Sequence, residues 1–214
     1  MARVKKNKSG QRSAIRKKCP PLIGDKAPAF DAQSTNGPIH FPKDYVGKWV
    51  ILFSHAADFT PVCTSELIAF SKLVDYCRRL NTEIIGLSLN SLGSHLDWLY
   101  AVREQIRIRG LKQVRLDFPL IADSAQTIAR RYGMVHPALD GTQAVRAVFF
   151  IDPNGIIRTI LFYPITTGRN FRELMRILIG LQTADSQGVV TPADWVPGEC
   201  VFFEQKIKKP LSDG

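Results

Sequence analysis

Two largely apolar runs, separated by one amphipathic stretch, constrain the fold of this 214-residue chain more than any other feature. The runs cover residues 49–54 (WVILFS) and 83–89 (EIIGLSL), and their length and composition are typical of strands buried on both faces of a sheet. The stretch between them carries an apolar stripe at helical spacing, formed by Phe70, Leu73, Val74 and Cys77. This order of strand, helix and strand predicts a layered α/β sheet.

The rest of the chain continues the alternation. Further helices are predicted around 92–108 and at 127–132 and 171–182, and further strands at 118–122, 147–152 and 156–163. The turn signal Pro153-Asn154-Gly155 joins the last two strands as a hairpin. We therefore expect an α/β fold with helices on both faces of the sheet, entered through an irregular segment at 22–48 that contains a small hairpin.

The positive charge of the chain is concentrated at its start. The net charge is +10, yet residues 1–20 hold eight basic side chains and no acidic one, which leaves +2 for the remainder. This composition predicts a disordered, solvated tail, with weak nucleic-acid contact or an organelle transit peptide as alternatives. No apolar run approaches the roughly 18 residues of a membrane span, and the first twenty residues lack the apolar core of a secretory signal.

The cysteines indicate reactive rather than structural chemistry. Four of them are widely separated and none forms a C-x-x-C pair, so neither a disulfide framework nor a zinc site is expected. Without a signal peptide, this usage predicts a reducing, cytoplasmic location.

Cys63 is the candidate reactive residue because of its place in the chain. A helix is predicted from Pro61 with Thr60 as its N-cap, so Cys63 lies in the first turn after a buried strand. The free N–H groups and the positive end of the helix dipole favour an anion there, and the thiolate is the nucleophilic form of cysteine. Local order alone leaves open that Cys63 is a small buried residue.

The segment 55–66 (HAADFTPVCTSE) closely resembles the active-site loop of the peroxiredoxins, whose pattern is Pro-x-x-x-Thr-x-x-Cys. The resemblance continues through 145–153 (VRAVFFIDP), 163–169 (YPITTGR) and 191–198 (TPADWVPG), and covers about residues 21–203. The blocks are similar to the 1-Cys, peroxiredoxin-6-like branch. The resemblance implies a thioredoxin-like domain over 21–184, followed by a C-terminal extension arm over 185–214 that packs on this domain or on a partner subunit.

The resemblance also implies a thiol-dependent peroxidase and assigns its central roles. Cys63 would attack one peroxide oxygen and become a sulfenic acid. Thr60 would place its hydroxyl against the thiolate and the peroxide. Arg146 would hold the thiolate and polarise the O–O bond while charge moves to the leaving oxygen. By spacing alone, Arg146 is equally an ordinary charge at the start of a strand.

Three further residues receive supporting roles from the same resemblance. His55 would line the pocket and hydrogen-bond near Cys63, whereas Glu66 and Arg169 would fix Arg146 or the loop. The residues themselves leave plainer readings open, namely a loop histidine for His55 and structural roles for Glu66 and Arg169. No metal and no other cofactor is expected, since the thiolate supplies the electrons.

The chain departs from the family pattern at two positions. Ala56 stands where the family has the proline that covers the cysteine, so we expect a more open pocket and a slower or less selective peroxidase. Cys200 is either a resolving cysteine that attacks the oxidised Cys63 or an incidental cysteine of the arm. Cys77 is predicted to be a core residue, and Cys19 an exposed tail residue.

The expected partners also follow from the resemblance. The substrates would be hydrogen peroxide and small organic hydroperoxides. The reductant would be an external thiol, whether thioredoxin-like, glutaredoxin-like or of low molecular weight, and homodimers or rings are expected. The lipase-type activity of some family members is not expected here, because residues 22–28 lack the serine on which that activity depends. A holdase chaperone with weakened peroxidase activity is the alternative, favoured by Ala56, and nucleic-acid contact through residues 1–20 is a further one.

Overall fold

The computed structural model describes residues 19–108, 116–139 and 141–203, with the side chains of 106–108 excepted. Most of the predicted basic tail (1–18) and the end of the predicted arm (204–214) lie outside the described residues. The elements in chain order are β1 (Phe30–Ser34), β2 (Gly37–Phe41), β3 (Trp49–Ser54), α1 (Pro61–Arg79), β4 (Thr82–Ser88), α2 (Leu92–Ile108), β5 (Leu120–Ala122), α3 (Thr127–Arg131), β6 (Arg146–Ile151), β7 (Ile157–Tyr163), α4 (Phe171–Gln187), β8 (Val189–Val190) and β9 (Phe202–Phe203). Within the described part, no helix is long and apolar enough to cross a membrane.

A seven-stranded sheet in the order β2-β1-β5-β4-β3-β6-β7 forms the centre of the fold. Strand β3 runs parallel to β4 and antiparallel to β6, and all six of its residues are buried. Successive side chains of a strand point to opposite faces, so Ile51 and Phe53 enter one apolar core while Val50 and Leu52 enter the other. These two cores explain why the run contains no exposed position.

Helices cover the sheet on both faces, as predicted. The first core receives Phe70 from α1, Trp98 from α2 and Leu178 from α4. The second core receives Ile128 and Ala129 from α3. Strand β3 is an interior strand of the sheet. Helix α1 begins beyond the carboxyl end of this strand, and Cys63 is in the first turn of the helix.

Two boundaries differ from the sequence prediction by more than one residue. Helix α4 continues to Gln187, five residues beyond the expected end, and stops where Gly188 takes the left-handed conformation (φ 64°) that glycine accommodates. The expected division between domain and arm after residue 184 therefore falls within its last turn. Strand β5 begins at Leu120 rather than at Phe118, because Pro119 has no N–H to donate to a neighbouring strand.

The described part of the arm packs on its own domain. Trp195 is 2% exposed, and its ring lies 3.5 Å from the place that a Cβ on Gly180 of α4 would occupy. Its carbonyl accepts a hydrogen bond from Arg176 of α4 at 3.4 Å, and its indole N–H donates to the Glu199 carbonyl at 3.1 Å. Strands β8 and β9 then pair antiparallel, so the segment that follows α4 returns toward the end of that helix.

Candidate active site

Cys63 is the third residue of α1 and is 1% exposed. Pro61 occupies the first helical position, and Thr60 precedes it with extended backbone, as predicted for an N-cap. The N–H of Thr64 donates to the Thr60 carbonyl at 2.9 Å, which begins the helical hydrogen-bond pattern one residue after Cys63. The sulfur is thus carried by the turn whose N–H groups and dipole attract negative charge.

Arg146 is the cation that faces this sulfur. It is the first residue of β6, and its Nη1 lies 3.3 Å from Cys63 Sγ although 83 residues separate the two in sequence. The same nitrogen donates to Glu66 Oε2 at 2.7 Å. Nε and Nη2 both donate to the Ile165 carbonyl, at 3.0 and 2.8 Å. The guanidinium is 2% exposed and anchored on three sides, so its position is set before any substrate arrives.

Glu66 and Arg169 hold this arrangement together. Glu66 Oε1 accepts from the backbone N–H of Arg169 at 2.8 Å and from its Nε at 3.0 Å, and Oε2 accepts from its Nη2 at 2.6 Å. Nη1 of Arg169 donates to the carbonyls of Ser54 and Ala147, each at 3.1 Å, and so connects β3 with β6. The structure therefore brings both residues to Arg146 through one shared carboxylate.

The charges of Arg146, Arg169 and Glu66 balance only when a further anion is present. Two buried guanidinium groups face one carboxylate, which leaves one positive charge in excess. Burial raises the pKa of Glu66, but the hydrogen bonds and charge of Arg169, with the charge of Arg146, outweigh it and lower that pKa below its usual 4.5. A thiolate at Cys63 would supply such an anion, and the thiolate is the nucleophilic form of cysteine.

Thr60 lies at the expected position, but its hydroxyl makes a different contact from that of a capping residue. Its Oγ1 donates to the Ala57 carbonyl at 3.0 Å and makes no hydrogen bond that caps α1. The oxygen retains its lone pairs for accepting a hydrogen bond. Thr60 is therefore held immediately before the helical turn that carries Cys63.

His55 joins a buried cluster that the sequence analysis did not assemble. Its Nε2 lies 3.0 Å from Asp58 Oδ1, and Asp58 also contacts His95 Nδ1 at 2.9 Å and accepts from the Ser94 hydroxyl at 2.6 Å. The signal that could have revealed it is topological. The segments after the parallel strands β3 and β4 must meet at the same edge of the sheet, and they carry Asp58 and His95 respectively.

The two positions that depart from the family pattern differ in burial. Ala56 is 6% exposed, and the sulfur of Cys63 is covered, so the missing proline ring does not leave that sulfur open to solvent. Cys200 is exposed in the arm, and Cys19 is exposed as predicted. Cys77 is buried in the first core, as predicted, where burial raises the pKa of its thiol to about 12.

Comparisons with known proteins agree with this geometry. The AhpC/TSA family model matches residues 23–160, and the model for the C-terminal domain of 1-Cys peroxiredoxin matches residues 180–209. A peroxiredoxin of Methanosarcina mazei is 54% identical over 183 residues, covering 86% of this chain and 84% of its own. A peroxiredoxin of Aquifex aeolicus is 51% identical over 177 residues, covering 83% and 77%.

Solved structures give the same result. The yeast mitochondrial 1-Cys peroxiredoxin superimposes with a TM-score of 0.77 at 41% identity, covering 86% of both chains. A mutant of peroxiredoxin 6 from Arenicola marina also gives 0.77, at 35% identity, covering 86% of this chain and 83% of its own. The α/β sheet is thus the expected thioredoxin-like fold with a C-terminal extension. The chain belongs to the AhpC/TSA family, in its 1-Cys peroxiredoxin branch, and is a thiol-dependent peroxidase.

Proposed function

We propose that Cys63 is the nucleophile of this peroxidase and that hydrogen peroxide and small organic hydroperoxides are its substrates. The thiolate attacks the terminal peroxide oxygen, an S–O bond forms, and the O–O bond breaks. Sulfur gives up two electrons and becomes a sulfenic acid, while the other oxygen leaves as water or an alcohol after taking a proton. The 3.3 Å contact between Arg146 Nη1 and Cys63 Sγ, at the start of a helix, carries this assignment.

Arg146 acts on the charge that moves during the attack. Negative charge passes from the sulfur to the leaving oxygen, and a guanidinium beside the sulfur can hydrogen-bond both. Glu66 and Arg169 position Arg146, whose fork is also held by the Ile165 carbonyl. Thr60 contributes its hydroxyl oxygen to the pocket. His55 lies at the start of the loop that ends at Thr60.

An external thiol completes the cycle. Cys63 is 1% exposed whereas Cys200 lies exposed on the arm. This difference favours a one-cysteine mechanism over one in which Cys63 and Cys200 already lie together. The related yeast protein was studied for thiol resolution via glutathione/thioredoxin systems. We extend to this chain an external reductant that is thioredoxin-like, glutaredoxin-like or of low molecular weight.

The assembly and location of the protein are also proposals. The arm exposes Phe202 (58%), Phe203 (73%) and Val196 (47%), an apolar set suited to burial against a neighbouring subunit. We propose a homodimer or a ring of dimers, with 21–184 as the peroxidase domain and 185–214 as the arm. The widely spaced, unpaired cysteines support a reducing, cytoplasmic location.

Mass spectrometry with a sulfenic-acid trap tests the nucleophile and the role of Cys200 together. Reduced protein given one equivalent of hydrogen peroxide should carry the trap at Cys63 alone, and the Cys200→Ser variant should give the same yield at the same rate. A Cys63–Cys200 disulfide would make Cys200 the resolving residue. A parent protein that does not react at Cys63 would refute the assignment and return attention to a holdase role.

Restoring the family proline at Ala56 is expected to raise the second-order rate constant for hydrogen peroxide severalfold. The ring would add bulk beside the covered sulfur and restrict the backbone of the loop, so less of the bound peroxide would be misaligned. Stopped-flow oxidation of Ala56→Pro and the parent measures this effect. Ala57→Pro, one residue further along the loop, serves as the control for a general stiffening of the loop. An unchanged rate constant in Ala56→Pro would mean that Ala56 does not limit this site.

A further inference from the structure

The cluster of His55, Asp58, Ser94 and His95 is not explained by the attack of Cys63. The side chains of Asp58 and His95 are 1% and 0% exposed, and that of His55 is 2% exposed. The cluster joins the loop after β3 to α2, and it lies beside the turn that carries the nucleophile. Trp98 connects the two, since its ring centre is 5.1 Å from that of His55 and its N–H donates at 3.1 Å to Thr64, the residue after Cys63.

The hydrogen bonds of His95 define its protonation. Its Nε2 faces the Ile121 carbonyl at 3.2 Å, and a carbonyl only accepts, so Nε2 carries a hydrogen. Its Nδ1 faces both Asp58 oxygens at 2.9 Å. Burial raises the pKa of Asp58, but the hydrogen bonds from His55, His95 and Ser94 outweigh it and hold that pKa well below its usual range. An ionised Asp58 only accepts, so the geometry assigns a hydrogen to Nδ1 as well.

His55 is left in one tautomer by the same carboxylate. Its Nε2 lies 3.0 Å from Asp58 Oδ1 and must donate to it. Burial lowers the pKa of His55, which disfavours a second proton. The remaining nitrogen, Nδ1, is therefore a bare lone pair. Among the described residues it is one of two buried side-chain polar atoms without a hydrogen-bond partner, the other being Gln126 Oε1.

We propose that Asp58 and His95 are positioning residues of the peroxidase, whose hydrogen bonds hold His55 in the Nε2–H tautomer so that Nδ1 can accept a hydrogen bond from the hydroxyl group of a bound peroxide. This rests on the proposed function of Cys63. A buried acceptor without a partner is costly to maintain, and a hydroxyl donor on the substrate would satisfy it. The hydroxyl oxygen would then be oriented toward the sulfur that attacks it.

A metal ion is the competing occupant of the same atoms. His55, Asp58 and His95 each offer one ligand atom, and these atoms lie within 4.8 Å of one another. However, Asp58 contacts both histidines at 2.9–3.0 Å, closer than the roughly 3.3 Å between two ligands of a tetrahedral zinc ion. These contacts are hydrogen bonds, which favours protons over a metal in this cluster.

Nitrogen NMR of histidine-labelled parent protein, recorded near pH 7.5 without peroxide, tests the protonation states. The chain has four histidines, so His40→Asn and His136→Asn variants simplify the assignment. We expect both nitrogens of His95 to carry hydrogen, and His55 to carry it on Nε2 only. A bare nitrogen on His95, a hydrogen on Nδ1 of His55, or loss of these signals on adding zinc would overturn the proposal. This measurement needs no turnover, so it fails or succeeds independently of the trapping at Cys63.

Asp58→Asn tests the consequence for catalysis. The asparagine amide can donate to His55 Nε2, which would shift the hydrogen of His55 to Nδ1 and remove the acceptor. In Ser-His-Asp triads the corresponding change costs about 10⁴ in kcat through the wrong tautomer. Here we expect the rate of Cys63 oxidation to fall by at least about tenfold, with the tautomer change visible by NMR.

Asp75→Asn on α1 is the matched control, because that carboxylate is 70% exposed and its ion pair with Arg78 is long, at 3.8 Å. It should leave the oxidation rate unchanged. An Asp58→Asn rate within twofold of the parent, or a slower rate with the His55 tautomer unaltered, would overturn the positioning role. If Asp58→Asn fails to fold, the spectra of the parent protein still decide the proposal.

Discussion

Replacing Arg146 by methionine is expected to slow the oxidation of Cys63 by hydrogen peroxide by about a hundred- to a thousandfold. The guanidinium is the charged donor 3.3 Å from the sulfur, and removal of one pre-positioned donor at a site of developing charge typically has this effect. Methionine fills much of the same space without charge. The fold should persist, because Glu66 keeps three hydrogen bonds from Arg169.

Two further variants separate the charge of Arg146 from its geometry. Arg146→Lys keeps a positive charge but cannot reach Cys63, Glu66 and the Ile165 carbonyl together, so we expect an intermediate rate. Arg176→Met removes an arginine of α4 whose partners are Glu173 and the Trp195 carbonyl, and it should leave the rate unchanged. Stopped-flow kinetics measure all three. A rate for Arg146→Met within threefold of the parent would show that this contact has no part in the reaction.

Replacing Glu66 by glutamine is expected to lower the free energy of unfolding by about 3 kcal/mol near neutral pH. The carboxylate is the buried counter-charge of both Arg146 and Arg169, at 2.7 and 2.6 Å. Glutamine has nearly the same shape but no charge, so it leaves two buried guanidinium groups facing each other. The same change should loosen Arg146 and slow the oxidation of Cys63.

The pH dependence of this effect follows from the lowered pKa of Glu66. Its folded pKa lies below the usual value of 4.5, so the carboxylate binds its proton more weakly in the folded protein. Its stabilisation is therefore complete above about pH 4.5 and is lost as the pH falls through the lower folded pKa. The difference in stability between parent and Glu66→Gln should narrow as the solution is acidified below pH 4.5.

Chemical denaturation of both proteins between pH 3 and 7 measures this difference. Glu173→Gln is the matched control, since that carboxylate pairs with Arg176 at the surface and should contribute less than about 1 kcal/mol. Equal unfolding midpoints for Glu66→Gln and the parent at pH 7 would contradict the assigned role. So would a difference that stays constant down to pH 3.

Most elements of the fold could be predicted because their signals are local. The run 49–54 is strand β3, and the helix predicted from Pro61 and the one around 92–108 begin where expected. The misplaced boundaries depend on single residues, since Pro119 delays β5 and Gly188 ends α4. The place of Cys63 at the start of a helix was equally local, and the motif around it pointed to a peroxidase.

The contacts of Cys63 were decided by the tertiary structure. Cys63 and Arg146 are 83 residues apart, and Glu66 and Arg169 are 103 apart, so no spacing in the sequence predicts 3.3 or 2.6 Å. Arg146 reaches the sulfur because β6 pairs antiparallel with β3, the strand that leads into the helix of Cys63. Sequence therefore pointed to Cys63 as the candidate nucleophile, and strand pairing determined which charge faces it.

The histidine cluster shows the same division. Sequence placed His55 in a polar loop and left its role open. Only the parallel pairing of β3 with β4 brings the following segments to one edge, where Asp58 meets both His55 and His95. Helices and strands can be predicted from local sequence because the interactions that form them join residues within one or two turns of each other. The protonation of a buried group depends on every neighbour that excludes water from it, and those neighbours are set by the whole fold.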